Sequence, residues 1–209
     1  GKIIARLEPM AGGFSSGIPE DLYHGGGWLY ISDRYEGCIW LTDRLLREPS
    51  KVEYEISGRP LIPGEIAVST SGEILVNGAE SGLLHYLESW DGKPSSGMTV
   101  TERLAGEVIG IEYDRIRGEF LVFSERAIMS IRTGGRPGEV LRMPDSLKIR
   151  SAFTVDSVFC VFTDIGVYSP AEGEIIANPM NDIEIFTQHP TGRALGVGTD
   201  RILIWELED

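Results

Sequence analysis

Lysine is scarce in this chain of 209 residues: Lys2, Lys51, Lys93 and Lys148 are the only four among 19 basic residues, which face 32 acidic ones for a formal net charge of -13. A protein that grips a nucleic-acid backbone needs a positive surface to release counterions, so nucleic acid is not the expected partner. Cysteine is nearly absent. Cys38 and Cys160 each sit in an apolar run far from the other, which predicts two buried free thiols rather than a disulfide, and with them a reducing, cytoplasmic setting. No apolar run is long enough to span a bilayer, and no charged-then-apolar leader opens the sequence, so a soluble chain with no membrane partner is expected; whether a leader preceded Gly1 stays open. Linkers and low-complexity tracts are also missing, so residues 1–209 read as one domain.

Catalytic signatures are equally sparse. The three histidines, His24, His85 and His189, are too scattered for a zinc site. There is no Gly-rich phosphate loop, no Gly-x-Ser-x-Gly elbow and no Cys-x-x-Cys pair, and "HGGGW" at 24–28 would serve as an oxyanion hole only beside a nucleophile elbow. No cofactor is expected.

What the sequence does have is a repeat. "WLYISD" at 28, "ILVNGAE" at 74, "FLVFSE" at 120, "VFCVFTD" at 158 and "ALGVGTD" at 194 each combine a short apolar strand, small residues and an acid, at spacings of 46, 46, 38 and 36. A second apolar strand follows every copy: "CIWLTD", "LLHYLES", "AIMSIRT", "IGVYSP" and "RILIWEL". An outer strand is expected in four copies, as "KVEYEI", "MTVTERL", "GEVLRM" and "EIIANPM". Candidate inner strands precede the copies, well formed in "GEIAVST", "VIGIEYD", "IRSAFTV" and "IEIFTQH" and weakest at "DLYHGGG".

Four short strands at a period near forty residues describe the blades of a β-propeller, in which neighbouring sheets bury each other's faces. The expected fold is therefore an all-β, five-bladed propeller. Its last blade lacks an outer strand, which "KIIARLE" at residues 2–8 would supply by pairing with "RILIWELED". The interval across that seam is 43 residues, in line with the others. A β-sandwich or open barrel is the alternative, and residues 10–27 leave room for a sixth, degenerate blade.

The last copy, "HPTGRALGVGTDRILIWELED", resembles the second half of a WD repeat, although Glu206 follows Trp205 where that pattern has Asp. The first, "GIPEDLYHGGGWLYISDRYEGCIWLTD", is similar to the opening blade of gluconolactonase and NHL-type propellers. That second resemblance implies an alternative function, a metal-dependent lactonase-like hydrolase, with Glu20 as a metal ligand and Glu65 or Asp182 as the candidates to complete the site.

The recurring acids Asp33, Glu80, Glu125, Asp164 and Asp200 raise the question of glycoside hydrolysis, which needs a carboxyl pair. A catalytic pair breaks symmetry, whereas one acid at the same turn in each repeat is expected to accept hydrogen bonds from local backbone amides. Trp28, Trp40, Trp90 and Trp205 do not recur at equivalent positions, which disfavours a sugar-stacking lectin. The reading that remains is a non-enzymatic scaffold for a protein or peptide, possible as a subunit of a larger assembly. Its docking rim is expected to gather Tyr35, Glu36, Glu80, Arg126, Asp164 and Arg201, with Tyr23, Tyr35 and Trp90 as aromatic anchors.

Overall fold

The structure, a computed structural model, describes residues 19–25, 27–43, 45, 47, 49–90, 93–100, 104–177, 183–188, 193–198 and 202–205. Among these residues every regular element is a β-strand. The chain falls into two compact units, Gly1–Arg103 and Leu104–Asp209.

The first unit holds two four-stranded antiparallel sheets. One is β1 (Pro19–Gly25), β2 (Trp28–Asp33), β3 (Cys38–Asp43) and β4 (Ser50–Val52) in that order. A two-stranded hairpin, β5 (Glu55–Ile56) and β6 (Arg59–Pro60), separates it in sequence from the second sheet. That sheet is β7 (Pro63–Val68), β8 (Ile74–Gly78), β9 (Leu84–Trp90) and β10 (Lys93–Thr99), again a meander.

The second unit repeats the pattern. Its sheets are β11 (Gly110–Asp114) to β14 (Arg136–Arg142) by way of β12 (Glu119–Phe123) and β13 (Ala127–Arg132); β15 (Ile149–Val155), β16 (Val158–Thr163), β17 (Val167–Ser169) and β18 (Glu174–Ala177); and a three-stranded sheet of β19 (Ile183–Gln188), β20 (Ala194–Gly198) and β21 (Ile202–Trp205).

The middle strands are apolar at nearly every position because both faces of a sheet are covered. In β3, Ile39 and Leu41 pack with Ile66, Val68, Ile74 and Val76 of the next sheet, whereas Cys38 and Trp40 turn to the opposite face and cluster with Ile31. The same period of two runs through the second unit: Ala152 and Val161 join Leu121, Phe123 and Ile128 on one side, and Phe153, Cys160 and Phe162 join Ile183 and Phe186 on the other. Phe162 stacks between Phe153 and Phe186 at centroid distances of 4.7 and 4.5 Å. Both cysteines are free and buried, as the sequence predicts.

The weakest of the expected inner strands, "DLYHGGG", is borne out as a full seven-residue strand, β1, paired with β2 along its length. Two outer-strand expectations need correction. "KVEYEI" is not one outer strand: β4 ends at Val52, and Glu55–Ile56 belong to the separate hairpin, whose turn is tight because Ser57 and Gly58 both have positive φ, 54° and 75°. The outer strand expected at "MTVTERL" is instead Lys93–Thr99, a largely polar segment without the apolar signature that identified the other strands. The seam strand expected at residues 2–8 lies outside the described residues.

Candidate functional site

The β5–β6 hairpin leans over the second sheet because Gly97 of β10 leaves it room. A Cβ at that position would lie 2.7 Å from both Ile56 Cδ1 and Leu87 Cδ2, so a larger residue there would make these two side-chain ends shift. At the hairpin's base the Leu61 N–H donates to the Tyr54 carbonyl at 2.9 Å. Facing it is the β8–β9 turn, closed by the Gly78 N–H on the Leu83 carbonyl and the Gly82 N–H on the Gly78 carbonyl, both 2.8 Å.

Between hairpin and turn runs an open groove of about 620 Å³. Ile56, Pro60, Leu61, Ile62 and Leu83 make most of its wall apolar; Arg59 stands on the hairpin lip and Glu80 on the turn lip. His85 lies in the groove lining and is only 5% exposed, with its Nδ1 3.2 Å from Thr99 Oγ1. Burial holds the His85 pKa below its ordinary value, which favours the neutral ring. Sequence reasoning assigned Glu80 to a docking rim but passed over His85. The available signal was a histidine inside the apolar run "LLHYL", where a polar side chain on a covered strand needs a partner.

A second polar feature of the first unit joins its two sheets. Asp21 of β1 accepts the Ile66 N–H at Oδ2 (2.9 Å) and the Leu22 N–H at Oδ1 (2.8 Å). Burial nevertheless raises the Asp21 pKa, its largest influence. Glu65 of β7 is pushed up to about 7, first by burial, then by the charges of Asp21 and Glu20 and a hydrogen bond with Asp21. The Glu65 carboxyl therefore keeps its proton into the neutral range and shares it with Asp21.

The linked stability has a definite sign. Glu65 binds its proton more tightly in the folded chain, so its contribution is fully present below its ordinary value near 4.5 and is lost as pH rises through about 7. After discounting for solvent screening, about 1–2 kcal/mol is expected to disappear between those limits. Glu65→Gln should flatten this part of the profile, read as urea midpoints at pH 5 and pH 8; an unchanged slope would refute the shared proton.

The expected rim residues fall into three situations. Tyr23 is half-buried against the first unit's core, and Tyr35 is 73% exposed in the β2–β3 turn. Beside it the Glu36 carboxylate meets Lys51 Nζ at 3.2 Å. In the second unit, Arg126 Nη1 donates to the Asp145 carbonyl (2.6 Å) and Oδ1 (3.0 Å), Lys148 Nζ pairs with Glu125 (3.3 Å), and the Lys148 N–H donates to Asp164 Oδ1 (3.0 Å). Arg126 and Asp164 thus meet around the segment 143–149, with their charges engaged locally. Arg201, Asp182, Asp200 and His189, and the side chains of Trp90 and Trp205, lie outside the described residues.

The recurring acids do not share one role. Asp33 serves its own turn, accepting the Glu36 N–H at 2.9 Å. Asp164 instead reaches 16 residues back to Lys148, and in its own turn Thr163 Oγ1 accepts the Gly166 N–H at 3.0 Å. Glu125 binds a lysine, and Glu80 stands on the groove lip. Glu20, the ligand that the gluconolactonase resemblance implies, is exposed on β1, and among the described residues no three His, Cys, Asp or Glu side chains gather to hold a metal.

The second unit has its own polar junction, built around a fully buried carboxyl group. Asp114, at the end of β11, accepts the Thr154 N–H (2.8 Å) and Oγ1–H (2.6 Å) at Oδ2. Its Oδ1 accepts the Ile116 and Arg117 N–H groups at 3.0 and 3.1 Å and Gln188 Nε2 at 3.2 Å. Gln188 completes the triangle by donating to the Thr154 carbonyl (2.7 Å) and accepting the Arg115 N–H (2.8 Å). Three first strands, β11, β15 and β19, are tied together at one point.

Successive four-stranded meanders packed face to face, with first strands joined by buried polar contacts, match a group of solved structures. Hydrazine synthase from Kuenenia stuttgartiensis superposes with a TM-score of 0.59 at 14% identity, over 85% of this chain and 55% of that one. The β-propeller domain of Myceliophteria thermophila Cps50 (Swd1) gives 0.61 at 16% identity, over 93% of this chain and 67% of that one. The fold is a β-propeller. YCF48 bound to D1 peptide superposes at 0.59 with 14% identity, over 98% of this chain and 68% of that one. The propeller spans little more than half the length of the hydrazine synthase chain. No family model and no curated protein sequence matches it. Identities this low establish the fold alone, and the four-stranded sheets are its blades. Among the described residues no helix is long and apolar enough to cross a membrane.

Proposed function

We propose that this propeller is a non-enzymatic scaffold that binds a protein or peptide in the groove between the β5–β6 hairpin and the β8–β9 turn. The observation that carries the reading is the groove itself: about 620 Å³ of open, mostly apolar space with polar groups at its margins. Apolar walls hold a side-chain anchor, and the polar margins orient it. YCF48, one of the similar structures, is bound to a peptide, which makes peptide capture a natural use of the same architecture. The proposal includes one domain of five blades, closed by residues 2–8 pairing with β21.

A displayed random-peptide library tests the binding. Enriched peptides are expected to bind the parent protein in the micromolar range and to lose at least about tenfold in Leu83→Arg, which puts a charge in the groove wall. The variant's melting curve checks that it still folds. No enrichment, or indifference to Leu83→Arg, would reject the groove as the binding site.

A further inference from the structure

The groove's two lips carry opposite charges. Ion pairs in the first unit join Asp43 to Arg47 and Lys51 to Glu36 and Glu53; Arg59 and Glu80, like Arg34 and Glu55, are in none among the described residues. Each stands exposed beside apolar wall, Arg59 after the tight Ser57–Gly58 turn and Glu80 at the tip of the β8–β9 turn. An unpaired charge at the margin of an apolar groove adds little to folding, yet it selects among occupants through complementary charge. His85 contributes no competing charge while its ring is neutral.

We infer that the occupant is a mixed-charge segment, with a basic side chain at the Glu80 lip, apolar side chains on the floor and an acidic side chain at the Arg59 lip. This assignment rests on the groove reading above. It also gives the bound segment a direction, because reversing the two charges would set like against like at both lips.

Three acetylated, amidated hexapeptides test it by NMR titration of the labelled protein: Ala-Arg-Leu-Leu-Glu-Ala, the same peptide with Arg at both charged positions, and the same with Glu at both. The mixed peptide is expected to shift the amide signals of groove residues at roughly fivefold lower concentration than either of the others. In Glu80→Lys, both lips are cationic and the double-Glu peptide should take first place. Equal binding by all three, or an order unchanged in Glu80→Lys, overturns the charge assignment and leaves the groove reading standing. Absence of groove shifts with every peptide removes the groove reading and the assignment with it.

Discussion

Asp114→Ala is expected to lower the stability of the second unit by about 3–5 kcal/mol, because each buried donor left without its acceptor costs about 1–3 kcal/mol and several lose theirs together. Five donors point at this carboxylate: the backbone N–H groups of Ile116, Arg117 and Thr154, the Thr154 hydroxyl and Gln188 Nε2. Asp114 is 0% exposed and the Thr154 and Gln188 donors are buried with it, while the Ile116 and Arg117 N–H groups lie in a part-exposed turn. Asp114→Asn retains an oxygen acceptor but turns an NH₂ toward some of the same donors, and should fall between the parent and the alanine variant. Urea midpoints for the three proteins decide the matter. An alanine variant within about 1 kcal/mol of the parent would mean that the network satisfies polar groups without holding the three sheets together.

Deleting residues 1–9 is the second large effect, and it tests the proposed ring. If Ile3, Ile4 and Leu7 are buried where residues 2–8 pair with β21, they contribute on the order of 5 kcal/mol gross, at roughly 1.5–3 kcal/mol per large apolar side chain before ordering entropy is subtracted. Removing them would also bare a strand edge, which invites pairing between molecules. The truncated chain should melt at a markedly lower temperature and elute as larger species in size-exclusion chromatography. A truncation that is as stable and as small as the parent would reject closure by this segment, while the blades already described would stand.

The two experiments probe different kinds of cohesion. One removes a polar contact among three first strands inside a unit, where the cost comes from desolvated donors. The other, if residues 2–8 pair with β21 as proposed, removes apolar area and an edge partner, where the cost comes from water returning to hydrocarbon. Ionic strength should affect neither strongly, in contrast to the groove-lip charges, whose contribution to peptide selection is exposed to screening.

Much of the architecture is legible in the chain because sheets covered on both faces demand apolar residues at almost every position. "CIWLTD", "FLVFSE" and "VFCVFTD" are strands for that reason, and their recurrence gives the blade period. Outer strands are harder to read. In β14, Arg136, Val140 and Arg142 are exposed, yet "GEVLRM" still marks most of the strand, whereas β10 begins with Lys93 and Pro94, ahead of the "MTVTERL" expected there. The reading of one acid per turn was too uniform: the repeat preserves an acid, but Asp33, Glu80, Glu125 and Asp164 meet different neighbours.

By itself, then, the sequence determined the all-β class, the period of the blades and the faces of their middle strands, since alternation and repetition are properties of neighbours along the chain. Only the tertiary structure decided which polar residues meet. Asp21 reaches Ile66 across 45 residues, Asp114 reaches Thr154 across 40 and Gln188 across 74, and Ile56, from a hairpin distant in sequence, packs close over Gly97. Such partners are chosen by the packing of one sheet on the next, which no local pattern encodes.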